Sequence, residues 1–412
     1  MRLSPEQRLD WLQLIRCDNI GPRTFHMLMN RHGGAAQALA ALPELIRQGK
    51  GRAITIASRE KALREMAAAE KLGARFVALG EPEYPPLLRE IDSPPPLIAV
   101  RGRIEILQQP MAALVGSRNA SAAGLAMTEK LARGLAAADF IIVSGLARGV
   151  DARAHQATLA TGTVGVMAGG LDSPYPPEHV KLIEQIIEQG CVISEMPFGY
   201  EPRGRDFPRR NRLVSGLSLG VVVVEAARRS GSLITARFAG DQGREVFAVP
   251  GHPLDPRGEG ANDLLRGGAT FCTKVEDIVA ALAPIIGRKT RPGMLFEPDP
   301  FAPDEPFWDE PLLDEFGGPD EEVAVAVEKP DFAASKNRGF EKANEAAPAP
   351  QSPRLMVESL LGPSPIGVDD LARVSGHATR EVRMILQEME LEGRIERHGG
   401  DRVSLLDNDW AG

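Results

Sequence analysis

Cysteine, aromatic residues and long apolar runs are all scarce in this 412-residue chain. Its three cysteines, Cys17, Cys191 and Cys272, are far apart and unpaired in spacing, which excludes a disulfide scaffold and a cysteine-held zinc site and points to a reducing, cytoplasmic setting. No apolar run approaches the roughly 20 residues of a bilayer span, and the opening Met-Arg-Leu-Ser-Pro-Glu-Gln-Arg lacks a signal peptide's apolar core, so no membrane association is expected. Aromatics make up only 5% of the chain, so surfaces on which nucleobases stack are few. There is no GxxxxGK[ST], HExxH or GxGxxG. The corresponding nucleotide, zinc and dinucleotide chemistries lack their anchor, and neither a cofactor nor a catalytic role is expected.

Charge, by contrast, is concentrated. The formal net charge of −8 hides an acidic tract, because residues 297–328 hold twelve acids and no base, while residues 1–296 carry +7. Within that basic part Arg203, Arg205, Arg209, Arg210 and Arg212 fall in ten residues with Asp206 as the one acid. Pro208 suits a helix's first turn. A helix starting there places Arg209 and Arg212 three apart on one face, beside the positive end of the helix dipole. Guanidinium forks fit phosphate oxygens, although a solvated basic loop would read the same way.

Four regions emerge: 1–74 helical, 75–286 alternating β and α, 287–352 a Pro- and acid-rich linker, and 353–412 ordered again. Ser4, Pro5 and Gln7 mark a capped helix start, and the Asp18-Asn-Ile-Gly-Pro22 turn leads into a second helix, with Leu12, Leu14, Phe25, Leu28 and Met29 between the two. This is a helix-hairpin-helix pattern, which serves either as a nucleic-acid backbone clamp or as plain structure. Continuous apolar runs at 111–115, 140–143, 163–167, 191–194, 219–224 and 245–249 predict strands buried on both faces of a mostly parallel, doubly wound Rossmann-like sheet. In 353–406, three helical segments and a hairpin at 395–405 predict a winged helix, whose third helix carries Arg380 and Arg383 among Glu381, Glu388, Glu390 and Glu392. That balance suits a protein partner somewhat better than DNA.

Ligands of open α/β sheets sit beyond the carboxyl ends of the strands. Beyond the first run stands Gly116-Ser117-Arg118, and beyond the second Ser144-Gly145-Leu-Ala-Arg148-Gly149-Val-Asp151 with His155 a helical turn later. Asp151 and His155 read as a helix cap bonded to a histidine rather than as an acid–base pair. The fifth run leads to Ser230-Gly231-Ser232-Leu-Ile-Thr235, where a loop with hydroxyls enters a helix. Asn211 lies inside the arginine cluster, and Phe207 is the best candidate for one base stack, or else a core plug. Each turn alone is an ordinary strand-to-helix connection; together with the arginines they favour a phosphate-bearing ligand.

In order, these blocks closely resemble the DNA-processing protein A (DprA/Smf) family. The resemblance runs over about residues 112–270 and is carried by Gly116-Ser-Arg, Ser144 to Asp151 with His155, Tyr175-Pro176, Ser194-Glu195, Phe207-Pro-Arg-Arg-Asn-Arg-Leu-Val-Ser-Gly-Leu-Ser218, Val224-Glu-Ala, Ser230-Gly-Ser-Leu-Ile-Thr-Ala236, Val246 to Gly251 and Gly260-Ala-Asn-Asp-Leu-Leu. It implies a non-catalytic single-stranded DNA binder that protects incoming DNA in natural transformation and helps load the RecA recombinase. It also implies an extended Rossmann core and a homodimer formed through that core. By matching position it puts Gly116, Ser117, Arg118, Gly145, Gly149, Arg210, Asn211, Arg212, Ser232 and Thr235 on the pocket side. Charge and placement add Arg148, Arg203, Arg205 and Arg209, and the loop entering the helix adds Gly231. His179 and the pair Gly169-Gly170 depart from the family's usual pattern in that loop. A competing reading is a Rossmann-type hydrolase of nucleoside monophosphates using Glu195 or Glu225. A third is an adaptor whose winged helix recruits protein while the core binds nothing.

Overall fold

The computed structural model describes residues 2–47, 54–286 and 352–406, which fall in two compact units. Apart from Ser352, the linker expected at 287–352 lies outside the described residues.

In the first unit, α1 (Pro5–Ile15) opens with the box read from sequence. The Ser4 hydroxyl accepts from the Gln7 N–H at 3.2 Å, and the Gln7 side chain accepts from the Ser4 N–H at 2.9 Å. After the turn, α2 (Pro22–His32) ends at Gly33, whose φ of +79° glycine takes without strain. Leu12, Leu14, Phe25 and Leu28 are buried as expected, each such burial contributing roughly 1.5–3 kcal/mol. Two further helices, α3 (Ala35–Arg47) and α4 (Arg59–Lys71), complete this part.

The sheet begins with β1 (Ala74–Ala78) and β2 (Leu97–Gly102) and continues through β3 (Met111–Val115), α5 (Ala122–Ala137), β4 (Ile141–Ser144), α6 (Val150–Ala157), β5 (Thr163–Val166), α7 (Val180–Gln189) and β6 (Cys191–Ser194). Then come α8 (Asp206–Gly216), β7 (Gly220–Val223), α9 (Gly231–Asp241), β8 (Glu245–Ala248), α10 (Glu259–Arg266), β9 (Thr270–Phe271) and α11 (Val275–Ile286). The nine strands lie in the order β1-β2-β6-β5-β4-β3-β7-β8-β9. From β6 to β9 every pairing is parallel, and β1 and β2 add an antiparallel edge. All six expected strands form. Their runs are continuous because both faces are covered: Val164 and Ile193 face a core with Leu213, Val214, Ala236 and Ala239 of α8 and α9, while Val192 faces Leu182, Ile183 and Ile186 of α7. That second face also receives Leu9, Leu12, Ala62 and Ala69 of α1 and α4.

Strand β3 is flanked by β4 on one side and β7 on the other, so chain order reverses there and a crevice opens beyond their carboxyl ends. Gly116 and Glu225 stand on its two sides.

The second unit contains α12 (Pro353–Leu360), β10 (Ile366–Gly367), α13 (Val368–Ser375), α14 (Thr379–Leu391), β11 (Ile395–His398) and β12 (Arg402–Leu405). Val382, Ile385, Leu386 and Met389 bury the predicted stripe with Val357 and Leu371. The hairpin pairs Ile395 with Leu405 and His398 with Arg402, giving the wing.

Candidate nucleic-acid interface

Two glycines hold the crevice wall close. A Cβ on Gly116 would come within 2.6 Å of Val150 Cγ2 and 2.9 Å of the Glu225 carbonyl, so only glycine lets the end of β3 approach α6 and the end of β7. Gly149 has φ +70°, and a Cβ there would lie 2.5 Å from the Arg118 carbonyl. The Val150 N–H donates to the Ser117 carbonyl at 3.2 Å, and the Ser117 hydroxyl accepts from the Asn119 N–H at 3.1 Å. This hydroxyl thus shapes its own turn, while Arg118 projects as an exposed side chain.

Asp151 departs from the expected cap. Its carboxylate accepts from the Gly145 N–H at 3.1 Å and the Ala147 N–H at 3.3 Å, fixing the loop before α6 rather than bonding His155. The partner of His155 Nδ1 is the Thr163 hydroxyl at 2.8 Å. Because that hydroxyl donates to the Ile142 carbonyl at 2.7 Å, the ring N–H must donate to it. Burial, assisted by nearby His179, lowers the His155 pKa to about 3, so the ring is neutral at ordinary pH. Acid–base chemistry between the pair has no geometric basis.

Helix α8 starts at Asp206, two residues before the expected Pro208. Asp206 accepts from the Arg203 N–H at 2.7 Å and the Tyr200 hydroxyl at 2.9 Å, which draws the chain into the helix early. An acid therefore already sits at the helix's positive end.

The arginines divide. Arg210, expected to grip phosphate, is buried, and its Nη1 donates to the carbonyls of Gly145 and, at 2.7 Å, Val166. A Cβ at position 145 would lie 2.5 Å from its Cζ, so Gly145 makes room for the guanidinium. Burial lowers the Arg210 pKa to about 10, opposed by Asp151, and the group remains charged. Arg212 is also turned inward, donating to Glu195 and to the Ser93 carbonyl at 2.8 Å. The Arg209 Nε donates to the same Glu195 at 3.0 Å. Burial works against the Glu195 charge, but Arg212 and Arg209 outweigh it and hold the carboxyl below its ordinary pKa. Protein acceptors thus already hold the guanidiniums of Arg210 and Arg212, where phosphate contact was expected, while Arg209 keeps a half-exposed side chain. Arg148 is exposed and pairs with Glu178.

At α9, the Ser230 hydroxyl caps the helix and lies 2.7 Å from the Ser232 hydroxyl. Gly231 faces open space, and its carbonyl accepts from Asn211 Nδ2 at 3.1 Å, linking α8 to this turn. Thr235 is 2% exposed and Ser232 9%, so Thr235 belongs to the packing beneath the turn.

Beyond the strands' carboxyl ends four exposed arginines, Arg118, Arg203, Arg205 and Arg229, have no carboxylate partner among the described residues, as is also true of Arg31, Arg75 and Arg89 elsewhere. The first four follow carboxyl ends of parallel strands, namely β3, β6 and β7. Arg229 is not among the residues that the sequence alone singles out. Phe207, partly buried, is held between Arg118, whose Cζ is 5.5 Å from the ring centre, and Tyr175, whose ring is 5.5 Å away. Glu195, one of the two carboxylates a hydrolase could use, is buried in its two ion pairs. Gly216-Leu-Ser-Leu-Gly220 has GxSxG spacing, yet Ser218 is buried, donates to the Val214 carbonyl at 2.9 Å and precedes its strand, unlike a nucleophile elbow. No cluster of three or more His, Cys, Asp or Glu suited to a metal occurs among the described residues, and no helix there is long and apolar enough to cross a membrane.

Fold and site together define a doubly wound α/β protein with an arginine-lined sheet edge, accompanied by a helical N-terminal part and a winged helix. The chain belongs to the DNA-processing protein A (DprA/Smf) family. It matches the family models "DNA recombination-mediator protein A" over residues 75–283, "DprA-like N-terminal HHH domain" over 5–68 and "DprA winged helix domain" over 341–401. Protein Smf of Escherichia coli is 35% identical over 325 residues, covering 78% of this chain and 75% of that protein. Over 217 residues the chain is 39% identical to Protein Smf of Synechocystis, spanning 51% of this chain and just over half, 54%, of that relative. Among solved structures, DNA processing protein A from Streptococcus pneumoniae superposes with a TM-score of 0.57 at 32% identity, covering 68% of this chain and 99% of that one.

Proposed function

We propose that the protein binds single-stranded DNA by its phosphate backbone, acting in DNA processing without catalysing a reaction. The observation that carries this reading is the set of exposed, unpaired arginines, Arg118, Arg203, Arg205 and Arg229, along the carboxyl edge of the sheet. The turn at Gly231 opens the start of α9 beside them. Phosphate contacts position a strand without specifying its sequence, so binding is sequence-tolerant. Arg210, Arg212 and Glu195 form the frame beneath this edge and act on DNA through the loops they hold.

Membership of the family further supports a role in protecting incoming DNA during transformation and in assisting the RecA recombinase, a homodimer formed through the Rossmann core, and a cytoplasmic location. The name of the matched core model, a recombination mediator, agrees with the RecA assignment. Titrating a labelled single strand and its duplex, with sedimentation of the free protein, tests the reading. Salt-sensitive preference for the single strand and a dimeric mass are expected; equal or absent binding contradicts the binding assignment, and a monomeric mass contradicts the dimer.

A further inference from the structure

Backbone capture alone does not distinguish unpaired from paired DNA, because both present phosphates. The distinguishing feature of a single strand is a free base face. Among the large hydrophobic side chains that the described residues expose, only two are aromatic, Tyr175 at 47% and Phe271 at 57%. Phe271 lies on β9 at the far edge of the sheet, and Tyr175 lies in the loop after β5. That loop meets α8 and the turn after β3 through one small cluster: the rings of Tyr175 and Phe207 are 5.5 Å apart and inclined by 60°, and Arg118 lies over Phe207. Phe207 is engaged by both neighbours and is partly buried. The open aromatic face of the cluster therefore belongs to Tyr175, with Phe207 between it and Arg118. Pro174 and Pro176 flank it in sequence and stiffen its backbone, which reduces the ordering cost of presenting the ring.

We propose that Tyr175 is the base-stacking residue of this edge and confers its preference for unpaired DNA: a nucleobase lies on the tyrosine ring while Arg118 holds a neighbouring phosphate. Duplex bases are already stacked on one another and cannot reach the ring. This rests on the single-strand reading above and adds the specificity element that the arginines lack. Stacking is tolerant of base identity, so the preference is for unpaired DNA and not for a sequence.

The test compares the full-length wild type with Tyr175→Ala, Tyr175→Phe and Tyr175→Trp against three probes: an oligothymidylate, the same-length abasic deoxyribose-phosphate strand, and a duplex. Tyr175→Ala is expected to bind the oligothymidylate weaker by roughly five- to a hundredfold, with the abasic strand, the duplex and the salt slope unchanged. Tyr175→Phe is expected to bind as wild type. Tyr175→Trp keeps the stack, and its added emission is expected to be quenched by the oligothymidylate but not by the abasic strand. Equal affinity of Tyr175→Ala and wild type for the oligothymidylate overturns the proposal, as does an equal loss on the abasic strand or an unquenched tryptophan. If Tyr175→Ala melts early, the tryptophan quench and the phenylalanine variant decide. Absence of single-strand binding by the wild type itself contradicts the parent reading, whereas wild-type binding that ignores residue 175 removes the stacking role alone.

Discussion

The guanidinium of Arg210 occupies the space that a side chain at Gly145 would need, with Cζ 2.5 Å from where a Cβ would stand. Reaching across from α8, it ties the loops after β4 and β5 through the Gly145 and Val166 carbonyls and offsets the buried charge of Asp151. Gly145→Ala is expected to displace Arg210 from the Gly145 and Val166 carbonyls and leave its buried charge without those acceptors, at a cost of roughly 3 kcal/mol. A denaturant titration checks this; an unchanged midpoint would show that the guanidinium has room to move.

Glu195 holds Arg212 and Arg209 from the end of β6, with its side chain 6% exposed. Glu195→Gln leaves the largely covered Arg212 without its carboxylate counter-charge, and a loss on the order of 2 kcal/mol is expected. Since the folded protein depresses the Glu195 pKa, its stabilisation is present above the unfolded value of about 4.5 and disappears as pH falls through the folded value. Urea midpoints measured from pH 7 to pH 3 are expected to fall less steeply in Glu195→Gln than in wild type.

His155 gives a second, separable acid sensitivity. Its folded pKa of about 3 lies below the ordinary 6.5, so the stability of the neutral buried ring is complete above pH 6.5 and erodes as pH falls towards 3. In His155→Gln the decline between about pH 6.5 and pH 4.5, above the Glu195 window, is expected to flatten. An unchanged slope would show that the ring does not titrate as its burial requires.

Much of this architecture is legible in the sequence where the signal is local. The runs at 111–115 and 191–194 are uniformly apolar because both faces of the sheet are covered, and Ser4 with Gln7 announces α1. Strands β1 and β2 escape such a reading: β1 has the exposed Arg75 within it, and β2 follows a proline run. Helix α8 begins early because Asp206 engages Tyr200 and Arg203, a contact that no helix pattern encodes. Least legible is which arginines face outward. Glu195 sits 14 residues before Arg209 and 17 before Arg212 and meets them only once β6 and α8 pack, and the carbonyls that take Arg210 lie 65 and 44 residues away. Charge density in the sequence marks the arginine-bearing edge of the sheet; folding decides which of those charges stay exposed.

The central claim is tested most directly by the salt dependence of single-strand affinity in wild type and in a variant with Arg118, Arg203, Arg205 and Arg229 all replaced by Gln. Four phosphate contacts on a single strand predict a slope of log affinity against log salt near −2.8, or about a fiftyfold loss between about 50 and about 200 mM. The fourfold variant is expected to bind weakly with a slope close to zero. A wild-type slope near zero, or a variant that keeps the wild-type slope, would contradict backbone capture by these four arginines.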